Sequence, residues 1–262
     1  TADEETDTMT NLEWKAAEVS VVLPNLEIAK NEGKTRVLDL EARAWEKAER
    51  NMVDQLVTSI YSDGTGSSSK EIVGLKAAID DGTNTDSYAG INRDDETWWQ
   101  SYYSNAAAAL SLDIMRAAYS GTTTGTKTTQ LIVNDKDEFD AYENLLEPNI
   151  RYQIMQTGGN KKMKKSGEGL AADSGFEYLM YRGTPIVASD YIDDGYMYFL
   201  NLDSMHWNYM KHPKFKNGKY GFSESPDMKP HDQDGSVKRL HTYCCLTCDE
   251  LRRNGKVIGL TD

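Results

Sequence analysis

His241, Cys244, Cys245 and Cys248 fall close together and are the first side chains here whose types suggest metal or thiol chemistry. Structural zinc usually draws two ligands from each of two separated turns. These four lie in one strand-like stretch, where residues three apart point to opposite faces. They read better as buried free thiols and a neighbouring histidine, because unpaired cysteine packs as a small apolar side chain. No metal ligand is assigned to them. Gly121-Thr122-Thr123-Thr124-Gly125-Thr126-Lys127-Thr128 has the look of a phosphate loop. A P-loop, however, needs four residues between its glycines with lysine directly after the second. It also leaves a strand and enters a helix, whereas this segment leaves a helix and enters a strand. It reads as a connecting loop, and no cofactor is expected.

The carboxylates Asp94-Asp95-Glu96 and Asp190 with Asp193-Asp194 lack the alternating ligand spacing of a calcium loop, and read as solvated loop acids. The Lys161–Lys165 run lacks interleaved aromatics and reads as a surface loop rather than a nucleic-acid site. No Gly-x-Ser-x-Gly elbow is present, and no neighbour pattern singles out any of the four histidines. The sequence therefore offers no catalytic residue, and an enzyme is not expected.

The elements that position these residues are clearer than the residues themselves. Lys34 to Ser62 runs without Gly or Pro between Asn31-Glu32-Gly33 and Asp63-Gly64-Thr65-Gly66, two turn-type clusters. Leu38, Ala42, Trp45, Ala48, Met52, Leu56 and Ile60 recur at spacings of three and four, which predicts a helix with one apolar stripe. Asp39 with Arg43 and Glu46 with Arg50 place an acid four residues before a base on its outer faces. At about 1.5 Å per residue the helix would be roughly 40 Å long.

Before it, Leu12 to Leu23 alternates as a strand with Val19, Val21 and Leu23 on one face, and Pro24 marks a strand end or a sheet edge. After it comes the small-residue linker Ser62 to Lys70, and a boundary is placed near Gly74. Ala106 to Tyr119 reads as a helix, Gln130 to Val133 as a strand, and Asp135 opens a capping box for a helix that buries Phe139, Tyr142, Leu145 and Leu146 before Pro148. Thr157 to Ala172 reads as a polar loop. Short strands are expected around Glu177–Tyr181, Pro185–Ala188 and Met197–Leu200, loop over 211–235, and strand again from Val237 to Leu246. Trp98-Trp99 and Tyr102-Tyr103 are expected as exposed aromatic pairs.

The chain has 262 residues, enough to bury a sizeable core, and 39% of them are hydrophobic. Its 42 acids against 29 bases leave a net charge of −13, which argues against nucleic-acid binding as the main activity. No apolar run reaches the roughly 20 residues of a membrane span. Three cysteines in one stretch do not resemble a secreted disulfide framework.

In their order these segments resemble the major capsid proteins of tailed bacteriophages with the Hong-Kong-97-type fold. The resemblance rests on Val19–Leu23, Asn31-Glu32-Gly33 and the long helix, Ser62 to Gly66, Gly74-Leu75, Leu131 to Asp135 leading to Tyr142, Arg182 to Val187, and Val237 to Asp262 with Arg252-Arg253 and Val257 to Leu260. It implies an α+β fold in four parts. Residues 1–30 would hold a tail and the returning strand of an extended loop (the E-loop), and 31–74 the spine helix and linker of a peripheral domain. Residues 75–230 would form the axial domain, and 231–262 the C-terminal return strand of the peripheral domain. It further implies pentamers and hexamers of the chain itself, portal or scaffold partners, weak non-specific contact with packaged double-stranded DNA, no membrane, and assembly in the host cytoplasm into a virion shell. The first residue is Thr, so a proteolytic cut or a cloning boundary is expected before it, with the N-terminal arm and outgoing E-loop strand upstream. Two other readings stand beside this one: an encapsulin-like compartment for protein cargo, and a small α+β metal-binding enzyme centred on Cys244 and Cys248.

Overall fold

The computed structural model describes residues 9–31, 40–146, 179–218, 221–226, 228 and 235–261. The expected tail 1–8, the helix start from Lys34 to Asp39 with Leu38, the Pro148 stop and the 157–172 loop with its lysine run lie outside the described residues. The elements, in order, are β1 (Lys15–Pro24), α1 (Asn25–Lys30), α2 (Leu40–Ile60), β2 (Tyr102–Ala109), α3 (Leu112–Thr122), β3 (Leu131–Asn134) and α4 (Lys136–Leu146). Then follow β4 (Leu179–Tyr181), β5 (Thr184–Ala188), β6 (Met197–Leu200), β7 (Met205–Met210), β8 (Lys216–Asn217), β9 (Ser223–Glu224), β10 (Gly235–Cys248) and β11 (Gly255–Thr261). The chain divides into two compact units, one of residues 13–74 with 207–246, the other of 1–12, 75–206 and 247–262.

In the first unit β1 pairs antiparallel with β10 along its whole length, from Lys15 opposite Cys244 to Pro24 opposite Gly235. β1 lies at the end of the five-stranded sheet, where its terminal proline removes no needed donor. The period of two puts Val19 and Val21 on the same face as Leu240 and Cys244, and that face closes on Met52 and Leu56 of α2. The helix stripe is narrower than its spacing predicts: Ala48, Met52 and Leu56 are buried and Trp45 half-buried, but Ala42 is exposed.

The linker after α2 is pinned rather than loose. Asp63 accepts from the backbone N–H and hydroxyl of Thr65, Ser62 donates to the Ile72 carbonyl at 3.1 Å, and Lys15 donates to the Ser69 carbonyl at 2.9 Å. Ser67, Ser68 and Ser69 all have positive φ, a left-handed turn costing about 1–2 kcal/mol per residue that these contacts must offset. Gly74 explains the abrupt turn into Leu75. A Cβ there would sit 2.3 Å from the Ile60 carbonyl oxygen and 2.5 Å from that of Ser59, so only glycine passes so close to the helix end.

The second unit holds a six-stranded sheet in the order β2-β11-β6-β3-β5-β4, mixed parallel and antiparallel. Every residue of β6 is buried, as expected for a strand covered on both faces. α3 and α4 contribute Met115, Ala118 and Tyr142 to one cluster with Ile132, Ile186, Met197, Phe199, Val257 and Leu260 of the strands. The helix expected over Ala106–Tyr119 is instead a strand through Ala109 followed by α3. Ser111 sets the boundary by accepting the Ile114 N–H at its side chain, and parallel pairing with β11 overrides the helix preference of the alanine run. Met205–Met210, for which the sequence suggests no element, is a strand, and the last strand β11, expected within the 231–262 return strand, joins the six-stranded sheet rather than the sheet of the spine helix.

Candidate functional site

The most unusual chemistry among the described residues lies around Lys256, which is 2% exposed near the start of β11. Its ammonium donates to Asp80 Oδ2 at 2.6 Å and to the Lys76 carbonyl at 2.7 Å, and lies over the Tyr103 ring at 5.4 Å. Asp80 is itself fully buried and also accepts from Gly82 N, Asn84 N and Asn84 Nδ2. Burial pushes the Asp80 carboxyl up, but the hydrogen bonds from Lys256 and Asn84 outweigh it, so it titrates at about 2. The fully buried Arg93 donates to the carbonyls of Thr85, Ala77 and Ala78 and lies over the Tyr88 ring.

This cluster ties residues 76–93 to β11. The protonated lysine has no lone pair, the carboxylate is occupied by four donors, and neither reaches solvent, so the arrangement locks a loop and offers no nucleophile or general base. No signal in the sequence marks Asp80 or Arg93. Lys256 does carry one, a single charge inside the run Gly255 to Leu260.

The cysteines are all unpaired and buried. Burial pushes the thiols of Cys244 and Cys248 up to about 11, which keeps them protonated at neutral pH. Cys244 packs with Met52 and Leu56, while Cys248 lies 3.3 Å from Asn254 Nδ2 and 4.0 Å from Ser204 Oγ. His241 faces Glu18 rather than a thiol, at 3.4 Å. No group of three or more His, Cys, Asp or Glu side chains among the described residues is placed to hold a metal ion.

The 121–128 segment leaves α3 and enters β3 through a tight turn bridged between Thr124 and Lys127. Gly121 serves packing, since a Cβ there would meet the Tyr102 ring at 2.2 Å. Asp94, Asp95 and Glu96 are exposed, and Glu96 accepts from Trp98 Nε1. Asp190 and Asp193 are exposed partners of Lys136 and Lys76. Trp99, expected on the surface, is 4% exposed and donates to the Tyr88 carbonyl, leaving Trp98 alone outside at 44%. Tyr102 and Tyr103 are half-buried. An open groove of about 490 Å³ between β1, α2 and the linker is lined by Ala17, Gln55, Thr58 and Ser62 together with the charged Asp54, Lys70 and Glu71. What remains available for function is surface: the free edge of β1, and exposed Val22, Leu26 and Val53.

No family model matches the sequence, and no curated protein matches it. Solved structures do. A chain of the cyanophage A-1(L) capsid asymmetric unit superimposes with a TM-score of 0.68 at 17% identity, over 95% of this chain and 77% of that one. The chain has the Hong-Kong-97-type capsid fold. The capsid of Myoviridae phage XM1 matches at a TM-score of 0.56 and 10% identity, covering 99% of this chain and 81% of that one. The holo-SrpI encapsulin complex from Synechococcus elongatus matches at 0.62 and 10% identity, covering 94% and 74%. At such identities the likeness fixes the fold and leaves the cargo of any shell open.

Proposed function

We propose that this chain is the major capsid protein of a tailed double-stranded DNA bacteriophage, a structural subunit and not an enzyme. The observation that carries this reading is the near end-to-end match to a phage capsid subunit, 95% of this chain at a TM-score of 0.68. The unit of 13–74 and 207–246 would be the peripheral domain with α2 as its spine, and 75–206 the body of the axial domain. β1 would be the returning strand of the E-loop. Copies would meet through heterologous contacts in pentamers and hexamers and close into an icosahedral virion shell assembled in the host cytoplasm. Portal and scaffold proteins would be further partners. The net charge of −13 suits a container whose contact with packaged DNA is weak and non-specific.

An encapsulin-like compartment is the second reading, favoured by the encapsulin match at a TM-score of 0.62. Negative-stain electron microscopy with light scattering on the purified chain tests the shell. Closed particles, or free pentamers and hexamers, are expected, and a monomer at every concentration would overturn both readings. The contents of particles recovered from the native source then decide between them: double-stranded DNA supports the capsid, a loaded protein the compartment.

A further inference from the structure

Four rings are stacked on the sheet of the spine-helix unit. His212 lies face to face with Phe215 at 3.6 Å between ring centres, 5.6 Å from Tyr243 and 6.0 Å from His241. His241 stands opposite Glu18 in the register of β1 with β10, the alternate set from Val19 and Leu240, so the stack occupies the face turned away from α2. The Nδ1 atom of His212 accepts two backbone N–H groups, from Lys214 at 3.2 Å and Phe215 at 3.1 Å. That fixes the ring as the neutral tautomer with its proton on Nε2. An imidazolium carries a proton on both nitrogens and has no lone pair to offer.

We propose that the ring stack is an acid-released latch, in which protonation of His212 at Nδ1 ejects the Lys214 and Phe215 N–H groups and opens the 212–215 turn. The charge surroundings favour release over a wider positive cluster. Arg239 and His241 on β10 and the exposed Lys211, Lys214 and Lys216 of the turn oppose a second positive ring. Among the described residues, Glu18 on β1 is shared between Arg239 at 3.1 Å and His241 at 3.4 Å, and Glu224 on β9 lies 3.6 Å from Lys216. Tyr243 is neutral. His241 works in the same direction. Burial holds its imidazole below the usual range, Glu18 opposes this, and His212 and Arg239 reinforce it. Such a histidine contributes stability above its ordinary value that is lost as pH falls through the folded one. The latch belongs to the sheet itself and stands or falls independently of the shell reading.

Amide-resolved hydrogen exchange on the whole chain, corrected for intrinsic rates, tests it at pH 7.5 and pH 5.5. Protection at Lys214 and Phe215 is expected at the higher pH and lost at the lower. His212→Asn keeps a side-chain acceptor for the turn but cannot titrate, so it should hold protection at both. Equal protection of the wild type at both values, or the same acid loss in His212→Asn, would overturn the proposal. If asparagine does not re-form the turn, the imidazole nitrogen shifts of unaltered His212 decide: the Nε2–H tautomer at pH 7.5 supports the latch, and the Nδ1–H tautomer ends it.

Discussion

Among the described residues, the unit of 75–206 and 247–261 gathers ten buried apolar side chains in one cluster, whereas the spine-helix unit gathers five. The first covers β6 on both faces and adds a locked charge cluster around Lys256. The second is one helix against one face of one sheet, with an edge strand, and with Val22, Leu26 and Val53 left 47% exposed or more. A two-layer unit with one small cluster is only marginally able to hold itself, and apolar surface left on it has value when another surface covers it. The difference suggests a division of labour, a rigid body in one unit and a partner-dependent frame in the other.

The largest expected effect tests the rigidity of the first unit. Lys256→Met strands the buried Asp80 carboxylate without its counter-charge and should cost about 3–5 kcal/mol in denaturant unfolding. Adding Asp80→Asn should recover a substantial part, because the buried charge is then gone. A near-neutral single variant would break the contrast between the units. The acid limb follows from the same pair. Asp80 titrates at about 2 when folded, below its ordinary value, so its contribution is present above about pH 4 and lost as pH falls through 2. Lys256→Met should remove that limb from the stability–pH profile.

Next comes the spine. Met52 is fully buried between α2 and the sheet, and Met52→Ala should cost about 2–5 kcal/mol in the unassembled chain. Measured again in the assembled state, the loss should appear smaller if neighbours brace this unit. Smallest is Ser111→Ala, which removes the side-chain acceptor at the start of α3 and should cost about 1 kcal/mol. An effect much above that would mean that the turn before α3 carries more of the unit than its single hydrogen bond suggests.

Local chemistry was most readable where one periodicity dominated. The stripe Ala48, Met52, Leu56 and the alternation Val19, Val21 each face a single layer, so sequence spacing and burial agree. Ala106–Ala109 misled because alanine favours helix locally, while the strand there is imposed by β11, some 150 residues away in sequence and invisible to any window. Trp99 was misplaced for a similar reason. The doublet Trp98-Trp99 looks uniform, yet one ring enters the core beside Tyr88 and the other does not. Asp80 and Arg93 sit among many loop acids and turn residues, and their burial depends on Lys256 arriving from the far end of the chain. The cysteines were legible because a continuous strand cannot converge three thiols on one point.

The central claim is that the spine-helix unit is completed by neighbouring copies while the other unit is complete in itself. Hydrogen exchange compared between the unassembled chain and assembled particles tests this directly. The backbone of β1 and the outer turns of α2 around Val53 should gain strong protection on assembly, while β6 and β11 stay as protected as before. Particles in which β1 and α2 exchange as fast as in the free chain, or in which β6 and β11 show the main gain, would contradict it.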